Sequence, residues 1–366
     1  MQPSTTVQNS SPTQNSLAPF SCTYTPNLPE LLQKLDCSIV ISTFQAGKIV
    51  MISPENENHL TQLVRDFKKP MGVAIRDDWM AIATECEVVL VRNSTDLAKT
   101  FPHAPNVYDH FYMPRATYYT GAVDIHDIHF GKHGELWAVN TSFSALCTLG
   151  NDYSFAVNWS PHFISGIGPG DRCHLNGLAM YKGEPLYVSA LGTGDQPQSW
   201  RNNITQGGCI LHIPSNETVI SGLAMPHTPR MYDDKLYCLL SAAQQLVCVD
   251  VDKGTYEVVC EIPGFVRGMD RIGDYLVIAT SKLRKNSSTF RHLEIANVAD
   301  KATIVLVHLP TGSIVSRLEY QMSVDEIYDV QLIAGAQRPN IFNTHADAHK
   351  NALHLPKATF WAAPAK

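Results

Sequence analysis

The sequence has few charged residues and no excess of basic ones. Of its 366 residues 17% are charged, and 28 Lys and Arg stand against 34 Asp and Glu, for a formal net charge of −6. Proteins that coat nucleic acid or anionic lipid need clustered Lys and Arg, so we expect neither partner. No run of residues reaches the ~18 apolar positions of a membrane helix. The 44% of hydrophobic residues is instead typical of a large globular core.

Signals for disulfide pairing and for export are also missing. The nine cysteines are scattered and form no CxxC pair. A dispersed, odd-numbered set indicates buried free thiols in a reducing compartment. Residues 1–19 are rich in Ser, Thr, Gln, Asn and Pro, and they lack the basic and apolar regions of a signal peptide. We therefore expect a cytoplasmic protein with a disordered leader at residues 1–22.

Several common catalytic signatures do not occur. HExxH, GxSxG, Walker A and zinc-finger spacings are all absent. The Gly-rich GIGPGD at residues 166–171 is not followed by a helical pattern, which favours a connecting loop over a dinucleotide-binding turn. Functional residues must therefore be sought among those that the fold brings together.

What the sequence does contain is a repeated pair of short strands. Runs of β-branched and aromatic residues alternate with Gly, Asp, Asn and Pro, which is typical of all-β proteins. In the clearest copies a first strand leads through a turn to a second strand that ends in small residues. These begin at Met71, His126, Asn176 and His227, and two weaker copies begin at Arg267 and Tyr328. Their intervals of 40–61 residues suit propeller blades of about 40–50 residues with loop insertions.

The two ends of the chain predict how the ring closes. One strand follows Tyr328, and three strands precede Met71, at 37–44, 48–53 and 59–67. Together they complete a blade without an open sheet edge. We therefore predict an all-β, six-bladed β-propeller over residues 23–335, closed by pairing of the N-terminal strands with a C-terminal inner strand. Residues 336–366 are expected to form a C-terminal tail, and a β-sandwich is the alternative fold.

The chain also carries a set of recognisable motifs: TGAVDIHDI, WAVNTSFS, DRCHLNGLAM, VSALG, MPHTPR, PGFVRGM and EIYDVQ. They resemble those of an uncharacterised bacterial β-propeller family, some members of which are fused to tetratricopeptide repeats. NGLA and LYVSA more loosely resemble gluconolactonase-like and NHL-type propellers, whose calcium ligands are not reproduced here in the same pattern. The resemblance implies a fold and no activity.

The repeat register predicts which residues line the axis. In a propeller the first strand of each blade faces the channel, and side chains two positions apart point the same way. The six starting residues then form one level. Residues two positions earlier form a second level nearer one mouth: Lys69, Asp124, His174, Met225, Phe265 and Glu326.

Three of these twelve axial positions are histidine, which suggests a metal site. We predict that His126, His174 and His227 converge on a divalent transition metal (Zn, Cu or Fe), with Glu326 or Asp124 nearby. Imidazole suits these metals, and three protein ligands leave an open position for water or substrate. The alternative is that the histidines hydrogen-bond one another, Asp124 and channel water.

Other axial residues are candidates for catalysis and substrate binding. A guanidinium fork suits a carboxylate or phosphate, although arginines can also join blades through backbone carbonyls. Trp200 and Arg201 lie in a long loop that could cover the channel mouth, and His129 is expected to pack between blades. The candidate catalytic residues are Glu326, Arg267, Tyr328 and Asp124. The candidate substrate contacts are Asn176, Arg172, Arg230 and Met225.

Two functions remain open from the residues alone. The first is a metal-dependent enzyme acting on a small anionic or aromatic molecule in the channel. Zinc would suit hydrolysis, elimination or isomerisation, and copper or iron would suit oxidation, including oxidative coupling. The second is a non-catalytic module that binds a protein or glycan. Ionisable groups concentrated on the axis favour the enzyme. Homo-oligomer formation is left open.

Overall fold

A computed structural model gives the structure of residues 17–283, 289–290, 292–345 and 347–362. The strands, numbered in chain order, are β1 Cys22–Tyr24, β2 Cys37–Thr43, β3 Lys48–Pro54, β4 Leu60–Asp66, β5 Val73–Arg76, β6 Trp79–Ala83, β7 Glu87–Asn93, β8 His110–Tyr119, β9 Ile125–Phe130, β10 Leu136–Asn140, β11 Ala145–Leu149, β12 Ala156–Trp159, β13 Leu175–Tyr181, β14 Glu184–Ala190, β15 Gly208–His212, β16 Glu217–Leu223, β17 Pro226–Tyr232, β18 Lys235–Leu240, β19 Gln245–Asp250, β20 Thr255–Glu261, β21 Phe265–Ile272, β22 Tyr275–Ser281, β23 Thr303–His308, β24 Ser313–Tyr320, β25 Asp329–Ala334, β26 Pro339–Ile341, β27 Ala352–Leu355 and β28 Ala358–Trp361.

Helices are short and lie outside the sheets. Two α-helices are present in the described residues, α1 at Leu28–Lys34 and α2 at Thr95–Lys99. Single 3-10 turns occur at Ser199–Asn203, Ser241–Ala243, Glu294–Asn297, Leu309–Thr311 and Asp347–Asn351. None of the described helices is long and apolar enough to cross a bilayer.

The strands form six blades around one axis. Blade 1 is β25-β2-β3-β4, blade 2 is β5 to β8, blade 3 is β9 to β12, blade 4 is β13 to β16, blade 5 is β17 to β20 and blade 6 is β21 to β24. The first strand of each blade contacts the first strand of the next, and this cycle of contacts closes on itself. The predicted six-bladed β-propeller is confirmed, with every inner strand beginning within two residues of its predicted start.

The ring closes as predicted. β2 pairs antiparallel with β25, from Ser42 opposite Asp329 to Cys37 opposite Ala334. The inner strand of blade 1 therefore comes from the C-terminal part of the chain, and its other three strands come from the N-terminal part. Because the seam is an ordinary β-ladder, neither partner strand is left with unpaired backbone groups along this edge.

The hydrophobic core lies between the blades. In one cluster, Val40 and Ile49 of blade 1 pack with Met80 and Ile82 of blade 2. The clusters between the other blades are built in the same way, from side chains on facing sheets. Apolar burial is non-directional and proportional to area. It holds the blades face to face without specifying how their inner strands align.

Hydroxyl side chains of four blades form hydrogen bonds to the inner part of the next blade. Four side chains near the end of a second strand, all at most 1% exposed, donate to a backbone oxygen of the following blade. The pairs are Ser42 to Met71 O (2.5 Å), Thr141 to Leu175 O (2.6 Å), Ser241 to Val266 O (2.6 Å) and Ser281 to Ile327 O (2.8 Å). The small residues near the end of the second strand of the sequence repeat thus provide hydrogen-bond donors to backbone carbonyl groups of the next blade.

Carboxylates on the inner strands make the complementary bonds. Asp127, Asp270 and Asp329 each accept a backbone N–H from the next blade, from Leu178 (2.9 Å), Leu332 (2.8 Å) and Val73 (2.9 Å). Between blades 5 and 6 the acceptor is Thr228 Oγ1, which takes the N–H of Gly268 (3.1 Å). Gly268 has φ +75°, and a Cβ there would lie 2.9 Å from the Asp329 Cα. This close approach requires glycine.

Both chain ends pack against the propeller. β1 extends blade 6 by pairing with β24, so residues 22–24 add a strand at the border of the expected leader. Residues 336–366 were expected to form a tail, and part of this segment has regular structure. β26 pairs parallel with the outer strand β8, and the β27–β28 hairpin places Trp361 against Phe101 and Phe111. An unpaired edge and an exposed aromatic cluster on blade 2 are thereby covered.

We predict that Ser281→Ala lowers the free energy of unfolding by about 1–3 kcal/mol, because the buried Ile327 carbonyl loses its donor at the blade 6–blade 1 seam. Urea unfolding followed by fluorescence measures this change. Ser221→Ala, at an exposed position of β16, is the matched control. Equal stability of the two variants would show that the seam hydroxyl does not stabilise the ring.

Candidate functional site

The level nearer one mouth of the channel is marked by a repeated backbone bend. Lys69, Asp124, His174 and Met225 occupy equivalent positions in four consecutive blades, and their φ angles are +46°, +50°, +51° and +57°. Left-handed backbone at a residue other than glycine is uncommon and costs on the order of 1 kcal/mol or more. The ring therefore holds the same strained bend four times, just before the inner strand begins.

The bend sets the orientation of two channel histidines. His126 Nδ1 lies 3.1 Å from the backbone oxygen of Asp124, and His227 Nδ1 lies 2.9 Å from that of Met225. A carbonyl oxygen only accepts, so Nδ1 carries the proton in both rings. Ser241 is consistent with this assignment, because it donates to Val266 O and accepts from His227. Nε2 is consequently the atom with the free lone pair.

The surroundings of these two histidines favour the neutral imidazole. Burial lowers the pKa of both rings well below the ordinary value, and the positive charge of Arg267 lowers it further. The interaction with His174 also lowers the pKa of both rings. At neutral pH His126 and His227 are therefore uncharged, with Nε2 able to accept a proton or a hydrogen bond, or to bind a metal.

The third histidine has a carboxylate partner. His174 Nδ1 lies 2.9 Å from Asp171 Oδ1, and the indole N–H of Trp200 donates to Asp171 Oδ2 at 3.0 Å. The Trp200 ring packs on the imidazole with centroids 4.3 Å apart. The His126 ring meets the His174 ring edge to face at 4.8 Å. Asp171 thus orients the imidazole of His174.

An arginine and a tyrosine complete the cluster. The guanidinium carbon of Arg267 lies 3.5 Å from the centroid of the Tyr328 ring, which is a close cation–π contact. Arg267 Nη1 donates to Glu326 Oε1 at 3.3 Å. The Tyr328 ring also meets that of His126 at 5.5 Å, and burial raises the pKa of its hydroxyl. Tyr328 is therefore a donor and not a phenolate.

A small cavity of about 10 Å³ lies on the axis beside these groups. Its lining residues are His126, Asp127, Asn176, Thr228, Arg230, Arg267, Tyr328 and Asp329. This volume is close to the roughly 10–15 Å³ that one water molecule needs, so the cavity suits a water or one polar atom of a ligand. Asn176 Nδ2 and Tyr328 Oη are buried here without a hydrogen-bond partner. Unpaired buried donors of this kind call for a ligand or water atom.

The carboxylates of the cavity differ in charge state. Although burial opposes ionisation, the charge of Arg230 lowers the pKa of Asp127, and the two groups make a bidentate pair at 2.8 and 3.2 Å. Burial and the charge of Asp127 raise the pKa of Asp329 to about 7. Asp127 is thus neutralised by its partner, and Asp329 titrates near neutral pH.

Four other residues named from the sequence, Arg172, Met225, Asp124 and His129, have different surroundings. Arg172 bonds to Asp195 Oδ1 and Gly166 O in the mouth loops and does not line the cavity. Met225 is buried in the apolar cluster around Trp200. The Asp124 side chain is exposed, and its backbone oxygen is the atom that meets His126. His129 Nε2 lies 3.2 Å from Asp127 Oδ1, deeper along the strand.

Sequence reasoning missed four residues of this region: Asp127, Asp171, Thr228 and Asp329. A signal for two of them is visible in the sequence, because Asp127 and Asp329 directly follow the axial His126 and Tyr328. Asp171 precedes His174 by three residues in DRCH. This spacing alone does not predict their contact, which also depends on the backbone bend at residue 171, where φ is +47°.

The predicted metal centre is not visible as a preformed site. Within the described ranges no group of three His, Cys, Asp or Glu side chains is arranged to hold a metal ion. The free Nε2 atoms are nevertheless of the kind that bind metals, with Nδ1 tied to a carbonyl or carboxylate. The metal therefore stays a prediction.

Fold and site together define a six-bladed propeller with a polar, histidine-lined axial pocket. Residues 26–342 match the family model described as a domain of unknown function, DUF4915, and the chain belongs to that family. This agrees with the resemblance to an uncharacterised propeller family. No curated protein matches the chain.

Solved structures show similarity at the level of the fold. A chain of the nidogen/laminin complex is 10% identical, with a TM-score of 0.52, and the match covers 82% of this chain and 99% of that one. A protein of unknown function from Bacteroides caccae is 12% identical, with a TM-score of 0.49 and coverage of 81% and 98%. Streptogramin B lyase is 10% identical, with a TM-score of 0.37 and coverage of 76% and 74%. At such identities even the first match supports the fold alone.

We predict that His227 makes the folded state less stable in acid. Its folded-state pKa is depressed, so below pH ~6.5 the unfolded chain binds a proton that the folded chain does not, and stability falls. The wild type should lose up to about 1.4 kcal/mol more per pH unit than His227→Gln in this range. Chemical denaturation at pH 5 to 7.5 measures the slopes, with the exposed His59→Gln as control. Equal slopes for wild type and His227→Gln would contradict the assignment.

Proposed function

We propose that the axial cluster is the active site of an enzyme that transfers a proton on a small anionic or aromatic molecule at the channel mouth. The carrying observation is the Asp171–His174 pair, whose imidazole faces a second, neutral histidine, His126, at 4.8 Å between ring centroids. A histidine with an orienting carboxylate, beside a second histidine that is uncharged, is an arrangement suited to acid–base catalysis.

The chemistry assigns a role to each side chain. His174 Nε2 takes a proton from a substrate carbon, so that a C–H bond breaks and an N–H bond forms, and the electron pair stays with the substrate. Asp171 stabilises the resulting imidazolium. Arg267 holds the anionic substrate, and the negative charge of that substrate would offset the effect of Arg267 on His126. Return of the proton elsewhere gives isomerisation, and loss of a leaving group gives elimination.

Binding of the substrate at the mouth requires that the covering segment leaves room. Trp200 belongs to the connection between β14 and β15 and packs with Leu191, Ile204 and Phe265. Its indole N–H and ring both contact the Asp171–His174 pair. This connection therefore covers one side of the Asp171–His174 pair with buried apolar side chains.

A deuterium-exchange screen tests the proposal without knowledge of the product. The full chain is incubated in D2O with a set of small carboxylic acids, keto acids and phenols, and mass spectrometry detects deuterium on carbon or a change of mass. We expect exchange or conversion of at least one compound, reduced by a factor of 10²–10⁴ in His174→Gln.

Asp171→Asn should lose most of the same activity, whereas His162→Gln should retain it. His162 is exposed and bonds to the Asn216 backbone oxygen, away from the axis. If compounds bind at the mouth and none is exchanged or converted, the protein is a binding module and the enzyme proposal is overturned.

The second candidate is a metal-dependent form of the same site. It is favoured by the hydrogen bonds at Nδ1 of His126, His174 and His227, which leave three Nε2 atoms for a divalent transition metal. Such a metal would supply an activated water or a redox centre.

Metal content separates the two forms. Elemental analysis of protein expressed in metal-replete medium should give close to one Zn, Cu or Fe per chain, and His174→Ala and His227→Ala should both lose it. His162→Ala should keep the metal. Metal-free protein that is active in the deuterium screen would leave the metal-independent proposal standing and remove the metal-dependent one.

A further inference from the structure

The cavity beside His126 contains donors that the fold leaves unused. Asn176 is 5% exposed and Tyr328 is 6% exposed, and the amide nitrogen of the first and the hydroxyl of the second have no partner in the described structure. A buried donor without a partner destabilises the folded state. Both side chains line the same small cavity, so the two unpaired donors adjoin one space.

A positive charge faces the same space. Arg267 lines the cavity, and its guanidinium carbon lies 3.5 Å from the centroid of the Tyr328 ring. Glu326 takes one hydrogen bond from it, at 3.3 Å. A guanidinium has five N–H donors in its plane. Most of them are therefore left for an acceptor beside the tyrosine ring.

The acidic residues of the cavity do not oppose an anion there. Asp127 is neutralised by the bidentate pair with Arg230. Asp329 uses its oxygens on the backbone N–H groups of Val73 and Val330, and its raised pKa allows it to take up a proton when negative charge enters. The donors that remain available are Asn176, Tyr328 and Arg267, and His126 Nε2 is an acceptor at the same cavity.

The geometry points to an oxyanion site: we propose that Arg267, Tyr328 and Asn176 bind one oxygen of a carboxylate or carbonyl group. The small size of the cavity admits this oxygen, and the rest of the molecule stays at the mouth beside His126 and His174. This inference rests on the proposed proton transfer and narrows its substrate to a carbonyl or carboxyl compound.

The site would act on the charge that proton abstraction creates. When His174 Nε2 removes a proton from the carbon next to the carbonyl, the C–H electron pair moves into a new C=C bond. The C=O π pair moves onto the oxygen, which becomes an enolate. Preorganised donors at that oxygen stabilise the transition state more than the ground state.

Formate binding to the full chain tests the oxyanion site directly. NMR titration follows the Nε–Hε signal of Arg267 and the line width of ¹³C-formate at constant ionic strength. We expect saturable binding that weakens at least about tenfold in Tyr328→Phe, the loss expected for one hydrogen bond to a charged group. Asn176→Leu should weaken it similarly. Tyr232→Phe is the matched control, because the Tyr232 hydroxyl is also buried and unpartnered but lies outside the cavity lining.

The outcomes separate this inference from the proposed function. Absence of saturable formate binding, or equal binding by Tyr328→Phe and Tyr232→Phe, would overturn the oxyanion site even if the deuterium screen succeeds. Formate binding that is lost in Tyr328→Phe while the screen finds no exchange supports the oxyanion site and removes the enzyme proposal. Unfolding midpoints of all variants show whether a loss of binding reflects a loss of fold.

Discussion

The propeller depends on hydrogen bonds that pass from one blade to the next at the axis. Apolar layers hold neighbouring sheets together, but they are tolerant of sliding. The hydroxyls of Ser42, Thr141, Ser241 and Ser281 and the carboxylates of Asp127, Asp270 and Asp329 are directional, and each joins one inner region to the following blade. Because they are buried, loss of one partner leaves the other unsatisfied. They determine where each inner strand lies along the propeller axis and therefore where the channel side chains lie.

The candidate site uses the same framework. The strained bend at Asp124 and Met225 directs a backbone oxygen toward the histidine two residues later, and Ser241, which joins blades 5 and 6, also accepts from His227. Asp127 joins blades 3 and 4 and carries the charge that pairs with Arg230 in the cavity wall. The Asp127 carboxylate both joins two blades and sets the charge of the pocket. A substitution such as Asp127→Asn would therefore alter the packing of the ring and the electrostatics of the pocket together. The cleaner tests are those at Asp171, His174 and Tyr328.

How much of this was predictable depends on the range of the interaction. Blade number, ring closure and the axial positions of His126, His227, Arg267 and Tyr328 follow from repeat spacing and strand alternation, which are local properties. Met225 was chosen by the same periodicity, and Arg172 because it lies two residues before His174. Packing places the first in an apolar cluster, and the second bonds to Asp195 in a loop. Asp171 and Trp200 meet on His174 although 29 residues separate them in the chain. No local pattern predicts such a contact, because it depends on how the covering connection folds back.

The sequence by itself determined that this chain is an all-β propeller with histidines on its axis, because six copies of one two-strand unit can bury their faces only against each other. It also determined the small residues near the ends of the second strands. The tertiary structure alone decided which nitrogen of each histidine is free, that Asp127 is neutralised by Arg230, and that Asn176 and Tyr328 face a cavity with unused donors. These properties depend on distances of about 3 Å between residues of different blades. Hydrogen bonding and charge pairing act at that range, whereas a repeat in the sequence specifies only which strand and which face each residue occupies.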